Sequence, residues 1–295
     1  MEEFVYLNGA LVPREKATVS PFDRGFLYGY GLFETMRSYG GCVFRLDRHL
    51  ARLMHSARFL LAAALDPDEL RQAIYKTLEA NNLSDARIRL TISAGEGERS
   101  LEPPKEGMPT IIVVAERLAL HPQLYLKGVR AAIVRLRRNS LSPLCGIKST
   151  NYLDNLIAHS EAVALGADEA ILLNERGFVA ECSTSNIFLV VAGKLLTPSE
   201  HSGILPGITR EAVLELAQVM GIEAGEGEIP VADLFLADEA FLSASVREIV
   251  PMVSVDGNPI GSGKPGEVTK RLLKAYRELV EQEKALRWSA APDVH

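Results

Sequence analysis

The chain has 295 residues, 47% of them hydrophobic, with 32 basic and 38 acidic side chains and a net charge of −6 at pH 7. That length suits two domains with sizeable cores, and the lack of any long single-sign charge run argues against a nucleic-acid or membrane-surface footprint. Cys42, Cys145 and Cys182 are too few and too widely spaced for a disulfide framework or a paired metal motif, no apolar run reaches membrane-spanning length and the start is acidic, so small-molecule chemistry in a reducing cytoplasm is expected.

Phe4 to Val12 alternates about Asn8-Gly9, a dipeptide suited to a type I′ turn, and predicts an opening hairpin. Ser20 to Phe26 reads as an aromatic-rich turn that leads through Gly29 and Gly31 into a strand, Thr35 to Tyr39, turning at Gly40-Gly41. Gly29-Tyr30-Gly31 is not a dinucleotide loop, because that pattern needs glycine where Glu34 stands. Asp47 is expected to cap a helix with Leu50, Leu53, Met54, Phe59 and Leu60 on one face and Arg48, Arg52 and Arg58 around it. A second helix runs from Pro67 to about Asn82. Strands at 86–94 and 110–116 enclose Gly95 to Pro104, whose glycines and prolines suit a substrate-facing loop. Turn residues then mark a boundary: 1–118 is the expected small domain, 119–128 a linker and 129–295 the large domain.

In the second half a strand at 129–136 and a loop at 137–146 lead to Ile147-Lys148-Ser149 and a helix from about Asn151 to Gly166. Leu144 and Ile147 are expected to keep the Lys148 amine dry, and a dry setting favours the neutral amine that attacks an aldehyde. Short strands near 170–173, 178–180 and 187–191 leave Glu181 on a loop after a strand. Gly203 to Arg210 opens a helix whose free N–H groups suit a phosphate. A strand at 239–243 ends in Ser243-Ala244-Ser245, a second anion candidate. Gly261-Ser262-Gly263-Lys264 is not a phosphate loop, since Asn258 and Pro265 stand where glycine and a hydroxyl residue are required. A helix from about Gly266 closes the chain.

Several motifs combine: Ser20-Pro21-Phe22-Asp23-Arg24-Gly25-Phe26, Gly31-Leu32-Phe33-Glu34-Thr35, His49-Leu50-Ala51-Arg52, Ile147-Lys148-Ser149, Glu181-Cys182-Ser183-Thr184-Ser185-Asn186, Leu205-Pro206-Gly207-Ile208-Thr209-Arg210 and Phe241-Leu242-Ser243-Ala244-Ser245. Together they resemble the class IV, or fold-type IV, pyridoxal-phosphate enzymes, which include branched-chain and D-amino-acid aminotransferases and aminodeoxychorismate lyases. The resemblance implies an α/β (α+β) fold of two domains, a small N-terminal α/β domain and a larger mixed, β-barrel-like C-terminal domain with helices. It implies that Lys148 carries pyridoxal 5′-phosphate as an aldimine and shuttles the proton between substrate and cofactor, while Glu181 keeps the ring nitrogen protonated. Arg52, Ile208, Thr209, Ala244 and Ser245 would hold the phosphate, Leu205 would pack on the ring and Tyr152 would lie near its hydroxyl.

For substrate carboxylates the resemblance points to Arg89, Arg99 and Arg247, with Phe33 beside them. The specificity motifs are mixed. The branched-chain pattern expects glycine where Thr35 stands and tyrosine where Arg87 stands, whereas the D-amino-acid pattern expects tyrosine at Phe33 and a histidine two residues after Arg99. The N-terminal half looks most like the lyases. The expected activity is transamination between an amino acid and a 2-oxo acid, with pyruvate release from aminodeoxychorismate as the alternative. A cofactor carrier without turnover is set aside because both Lys148 and Glu181 are present. The resemblance also implies a homodimer, in which the loop at 95–104 reaches over the partner's site, and no role for metal, nucleic acid or membrane.

Overall fold

The computed structural model describes residues 3–60, 64–97, 108–119 and 121–290. The described residues of 1–119, 147–151 and 282–295 form one compact unit, and those of 120–146 and 152–281 form another.

In the first unit β1 (Phe4–Leu7) and β2 (Ala10–Pro13) meet at Asn8 and Gly9, both at positive φ as a type I′ turn requires. Then follow α1 (Arg24–Tyr28), β3 (Gly31–Tyr39), β4 (Cys42–Val43), α2 (Leu46–Leu60), α3 (Pro67–Ala80), β5 (Ala86–Ser93) and β6 (Thr110–Arg117). The six strands make one antiparallel sheet in the order β2-β1-β6-β5-β3-β4. Alternation sorts its faces. On β5, Ala86, Ile88, Leu90 and Ile92 are fully buried in a core shared with Leu50 and Leu53 of α2 and Leu70 and Ile74 of α3, while Arg87, Arg89 and Thr91 take the opposite face. Each large aliphatic side chain buried this way contributes about 1.5–3 kcal/mol, so the helix-backed face is held closed and the arginine-bearing face is turned away from the core.

Asp47 does not cap α2. The helix begins one residue earlier, and the Arg45 carbonyl accepts from the N–H groups of Arg48 and His49. Asp47 lies in the first turn, where a negative charge suits the helix dipole, and accepts from Arg71 at 2.6 Å.

The second unit opens with α4 (Pro122–Lys127), which occupies the stretch expected as a linker, started by Pro122 and stopped by Gly128 at φ 73°. It continues with β7 (Val129–Arg138), α5 (Leu153–Ala164), β8 (Glu169–Asn174), β9 (Phe178–Cys182), β10 (Asn186–Val191) and β11 (Lys194–Pro198). After these come α6 (Ile208–Val219), β12 (Ala224–Gly227), β13 (Ile229–Pro230), α7 (Val231–Leu236), β14 (Glu239–Ala244), β15 (Glu248–Val255), β16 (Asn258–Pro259) and α8 (Glu267–Ala290). The strands form a mixed sheet in the order β12-β11-β10-β14-β15-β7-β8-β9-β13, with β16 on β15. β7 runs parallel to both β15 and β8, and β11 runs parallel to β12. β8 is buried at every residue, and between Glu169 and Asn174 its sequence, Ala170 to Leu173, is a continuous apolar run without alternation. The crossover from β7 to β8 passes through α5, whose Ala158 and Ala162 pack with Ala132, Val134, Ala170 and Leu172.

The sequence reading does not include β15. Pro251 argues against a central strand, yet pairing with β14 on one side and β7 on the other carries it. The units also depart from an unbroken 129–295 domain. Residues 147–151 are hydrogen-bonded to the segment around β3, and the end of α8 joins the first unit through Arg45 Nε donating to Glu283 Oε1 at 3.3 Å. No helix among the described residues is long and apolar enough to cross a membrane.

Candidate active site

In the first unit, Lys148 is held by β3 rather than by the helix that follows it. Its carbonyl accepts from the Phe33 N–H at 2.9 Å, and two residues on the Thr150 N–H donates to the Gly31 carbonyl at 2.9 Å. Thr150 Oγ1 and Asn151 Nδ2 both donate to the Gly29 carbonyl, at 2.7 and 3.0 Å. Gly29 sits at φ 67°, and a Cβ there would overlap the Asn151 side chain, so this anchor needs glycine. The Lys148 amine lies 4.5 Å from the centroid of the Phe33 ring, and the Arg89 guanidinium carbon lies 3.8 Å from the same centroid. Arg89 also donates from Nε to Thr91 Oγ1 at 3.2 Å. The apolar cover expected from Leu144 is absent, since that side chain is 46% exposed. Phe33, at 2% exposure, and the partly buried Ile147 supply apolar surface instead.

Phe33 and Glu34 point to opposite faces of β3, as neighbours on a strand must. Glu34 is buried, and α2 brings His49 and Arg52, three residues apart on one helix face, against it. Arg52 donates from Nε to Oε1 at 2.8 Å and from Nη2 to Oε2 at 2.7 Å, and His49 Nδ1 lies 2.7 Å from Oε2. Burial pushes the Glu34 carboxyl up, but the Arg52 charge and the His49 contact outweigh it and hold the group at about 2. Burial, with the Arg52 and Lys148 charges, pushes His49 down against the pull of Glu34.

A carboxyl lowered in the folded chain from 4.5 to about 2 stabilises the fold above its unfolded value, and that stability is lost as pH falls through this window. Ionisation of Glu34 thus adds stability at neutral pH that is absent in acid. Thermal melts from pH 6 to pH 2 should show a steep acid loss in the native chain and a shallower one in Glu34→Gln. Parallel profiles would refute the assignment.

In the second unit, Glu181 is 5% exposed and lies inside β9, one residue before its end at Cys182, rather than on the loop that follows. Arg138, at the end of β7, reaches its Oε1 with Nη2 at 2.8 Å, and the Leu205 N–H donates to its Oε2 at 3.1 Å. Both carboxylate oxygens are therefore fixed. The Leu205 carbonyl in turn accepts from Asn186 Nδ2 at 2.9 Å. Two residues on, Gly207 precedes α6, where any Cβ would overlap the Asn186 oxygen, and it offers no side-chain cap. Ile208 and Thr209 follow, both buried, and Thr209 Oγ1 and Ser243 Oγ are buried without a hydrogen-bond partner among the described residues. Ala244 and Ser245 are half-buried where β14 turns toward β15, and Tyr152 is half-buried at the N-cap of α5.

Arg247, read from the sequence as a carboxylate anchor, donates from Nη2 to Glu169 Oε2 at 2.5 Å and to Thr184 Oγ1 at 3.1 Å. Glu169 is 1% exposed, and its other oxygen accepts from the Ser183 hydroxyl and, at 3.2 Å, from the Ser183 N–H. Arg247 neutralises a buried acid and braces the Ser183-Thr184 corner that follows Glu181. Arg99 lies outside the described residues.

Four residues of these clusters receive no role from the sequence: Arg138 and Glu169, and Glu34 and His49, which stand in its motifs without one. Glu34 carries a readable signal, an acid on the same strand face as the core residues Leu32 and Met36. Arg138 does not, because only the pairing of β7, β8 and β9 brings it to Glu181.

The family model described as amino-transferase class IV matches residues 31–255. The chain belongs to the class IV aminotransferases. It is 42% identical over 279 residues, 93% of this chain and 96% of the other, to a protein of Methanocaldococcus jannaschii named "Putative branched-chain-amino-acid aminotransferase". It is 35% identical to the aminodeoxychorismate lyase of Bacillus subtilis, covering 94% of each. The crystal structure of the Escherichia coli branched-chain amino acid aminotransferase superposes with a TM-score of 0.91 at 34% identity, covering 95% of each chain. This aminotransferase is thus a pyridoxal-phosphate enzyme of the fold-type IV architecture. Its residues fit that cofactor: a half-buried lysine amine beside an aromatic ring, a fully bonded buried carboxylate, and an uncapped helix start with an unpartnered hydroxyl at Thr209.

Proposed function

We propose that this aminotransferase exchanges the amino group of branched-chain L-amino acids with a 2-oxo acid, as a homodimer in the cytoplasm. The observation that carries the substrate class is the near full-length match to the two branched-chain proteins, together with the apolar Phe33 ring beside the Lys148 amine. Three free cysteines, two of them buried, agree with a reducing compartment.

When bound, pyridoxal phosphate supplies an aldehyde for an amine to attack and a protonated ring that draws electrons from the substrate Cα. Lys148 Nζ would hold the cofactor, and once free its neutral amine would take the proton from the substrate Cα and return it. Glu181 would keep the ring nitrogen protonated, and the bonds from Arg138 and the Leu205 N–H stop its carboxylate from turning away. Arg52, the Ile208 and Thr209 N–H groups and the Thr209 and Ser245 hydroxyls would hold the phosphate, with Leu205 and Tyr152 serving the ring. Arg89 and Arg99 receive substrate carboxylate, with Arg89 pre-oriented by its stack on Phe33.

The Bacillus subtilis relative keeps the lyase as a second reading. A single comparison separates them: L-leucine with 2-oxoglutarate against aminodeoxychorismate, with D-alanine as the stereochemical control. The expected outcome is leucine-dependent glutamate formation with turnover at least about a hundredfold above D-alanine, a gap of roughly 2.7 kcal/mol. Pyruvate release from aminodeoxychorismate without leucine turnover would replace the proposal by the lyase reading.

A further inference from the structure

We propose that Glu34 is a positioning residue for the cofactor phosphate, acting through Arg52. The inference rests on the reading of Arg52 as a phosphate ligand and extends it to a residue behind the first contact.

A carboxylate on the core side of a strand is costly to bury, so one that is 1% exposed needs partners that recover the cost. Glu34 has two. It takes Nε and Nη2 of Arg52 on separate oxygens, at 2.8 and 2.7 Å, which occupies one whole edge of the planar guanidinium and fixes its plane. His49 closes the other side at 2.7 Å. The ionised carboxylate only accepts, so His49 donates from Nδ1, and with burial disfavouring its charged form the ring stays neutral. His49 pins Glu34, and Glu34 pins Arg52. The other charged group acting on His49 is Lys148.

The charges of Glu34 and Arg52 cancel, so this pair offers a phosphate directed N–H groups more than net positive charge. Direction is what Glu34 contributes. A glutamine in its place would turn an amide N–H toward guanidinium N–H groups, donor against donor, and release the plane.

The test compares pyridoxal phosphate with pyridoxal, which has the same ring and aldehyde but no phosphate. Full-length chain stripped of cofactor is titrated with each, and dissociation constants are read from absorbance. Glu34→Gln should weaken pyridoxal phosphate by roughly tenfold or more and leave pyridoxal within about twofold. Glu34→Asp, which keeps the charge but draws it back, should shift in the same direction by less, and it serves if the glutamine variant does not fold. Arg52→Lys cannot be gripped along an edge and should also lose the preference, and adding Glu34→Gln to it should change the preference no further. No change, or equal weakening for both ligands, in the Glu34 variants while Arg52→Lys is selective would overturn the inference and leave Arg52 its role. An unaltered preference in Arg52→Lys would overturn the reading of Arg52 itself.

Discussion

Lys148→Ala is expected to abolish transamination, by roughly ten-thousand-fold or more, because it removes both the covalent attachment point and the group that moves the Cα proton. Loss of two functions at one atom should exceed any single change elsewhere in the chain. The phosphate ligands would remain, so the variant should still bind pyridoxal phosphate, without the absorbance change that marks covalent attachment. In the native enzyme, borohydride treatment followed by peptide mapping should mark the peptide that contains Lys148. A label on another lysine, or measurable turnover in the alanine variant, would overturn the assignment. The backbone argues that the amine is well placed: Lys148 is tied to β3 through the Phe33 N–H, and Thr150 and Asn151 secure the next turn of chain on Gly29 and Gly31.

Glu181→Gln should have the next largest effect, a fall in kcat of about a hundredfold to a thousandfold, or roughly 3–4 kcal/mol. A neutral amide cannot hold a proton on the ring nitrogen, so electron withdrawal from the substrate fails while phosphate binding persists. The dissociation constant for pyridoxal phosphate should therefore move far less than kcat. The structure adds a complication that can be measured. Arg138 is only 17% exposed and loses its charge partner in this variant, and an uncompensated buried charge costs on the order of 3–5 kcal/mol of stability. Melting temperature must be recorded beside the kinetics, and Arg138→Gln, which keeps the carboxylate, should cost less in kcat. Near-normal turnover in Glu181→Gln would refute the role.

Much of this was legible in the sequence because local rules governed it. Asn8-Gly9, Pro67 and the alternation of Ala86 to Ser93 each determine a turn, a helix start or a strand from neighbours alone. β15 shows the opposite case, with a proline that local preference forbids in a central strand and distant partners on both sides that impose one. The site divides in the same way. Lys148 and Glu181 stand in motifs, but Arg138, Glu169 and His49 acquire meaning only when strands far apart in the chain are paired or a helix is laid on a sheet. Arg247 belongs with them, since its nearness to Ser245 in sequence gives no sign of its ion pair with Glu169.

The place of β15 in the second unit's sheet has a consequence for how the protein is made. It is the strand that joins β12-β11-β10-β14 to β7-β8-β9-β13, and it is among the last strands to leave the ribosome. Between the emergence of β7 and that of β15 a nascent chain waits on the order of ten seconds at ordinary elongation rates. Through that interval one edge of β7 has no native neighbour, and once β14 has emerged one of its edges has none until β15 follows, so both are open to pairing with other chains. Stalled or prematurely terminated translation before Glu248 makes the exposure permanent, so such fragments should be recovered in aggregates or bound to chaperones, whereas chains completed through Val255 should close both edges.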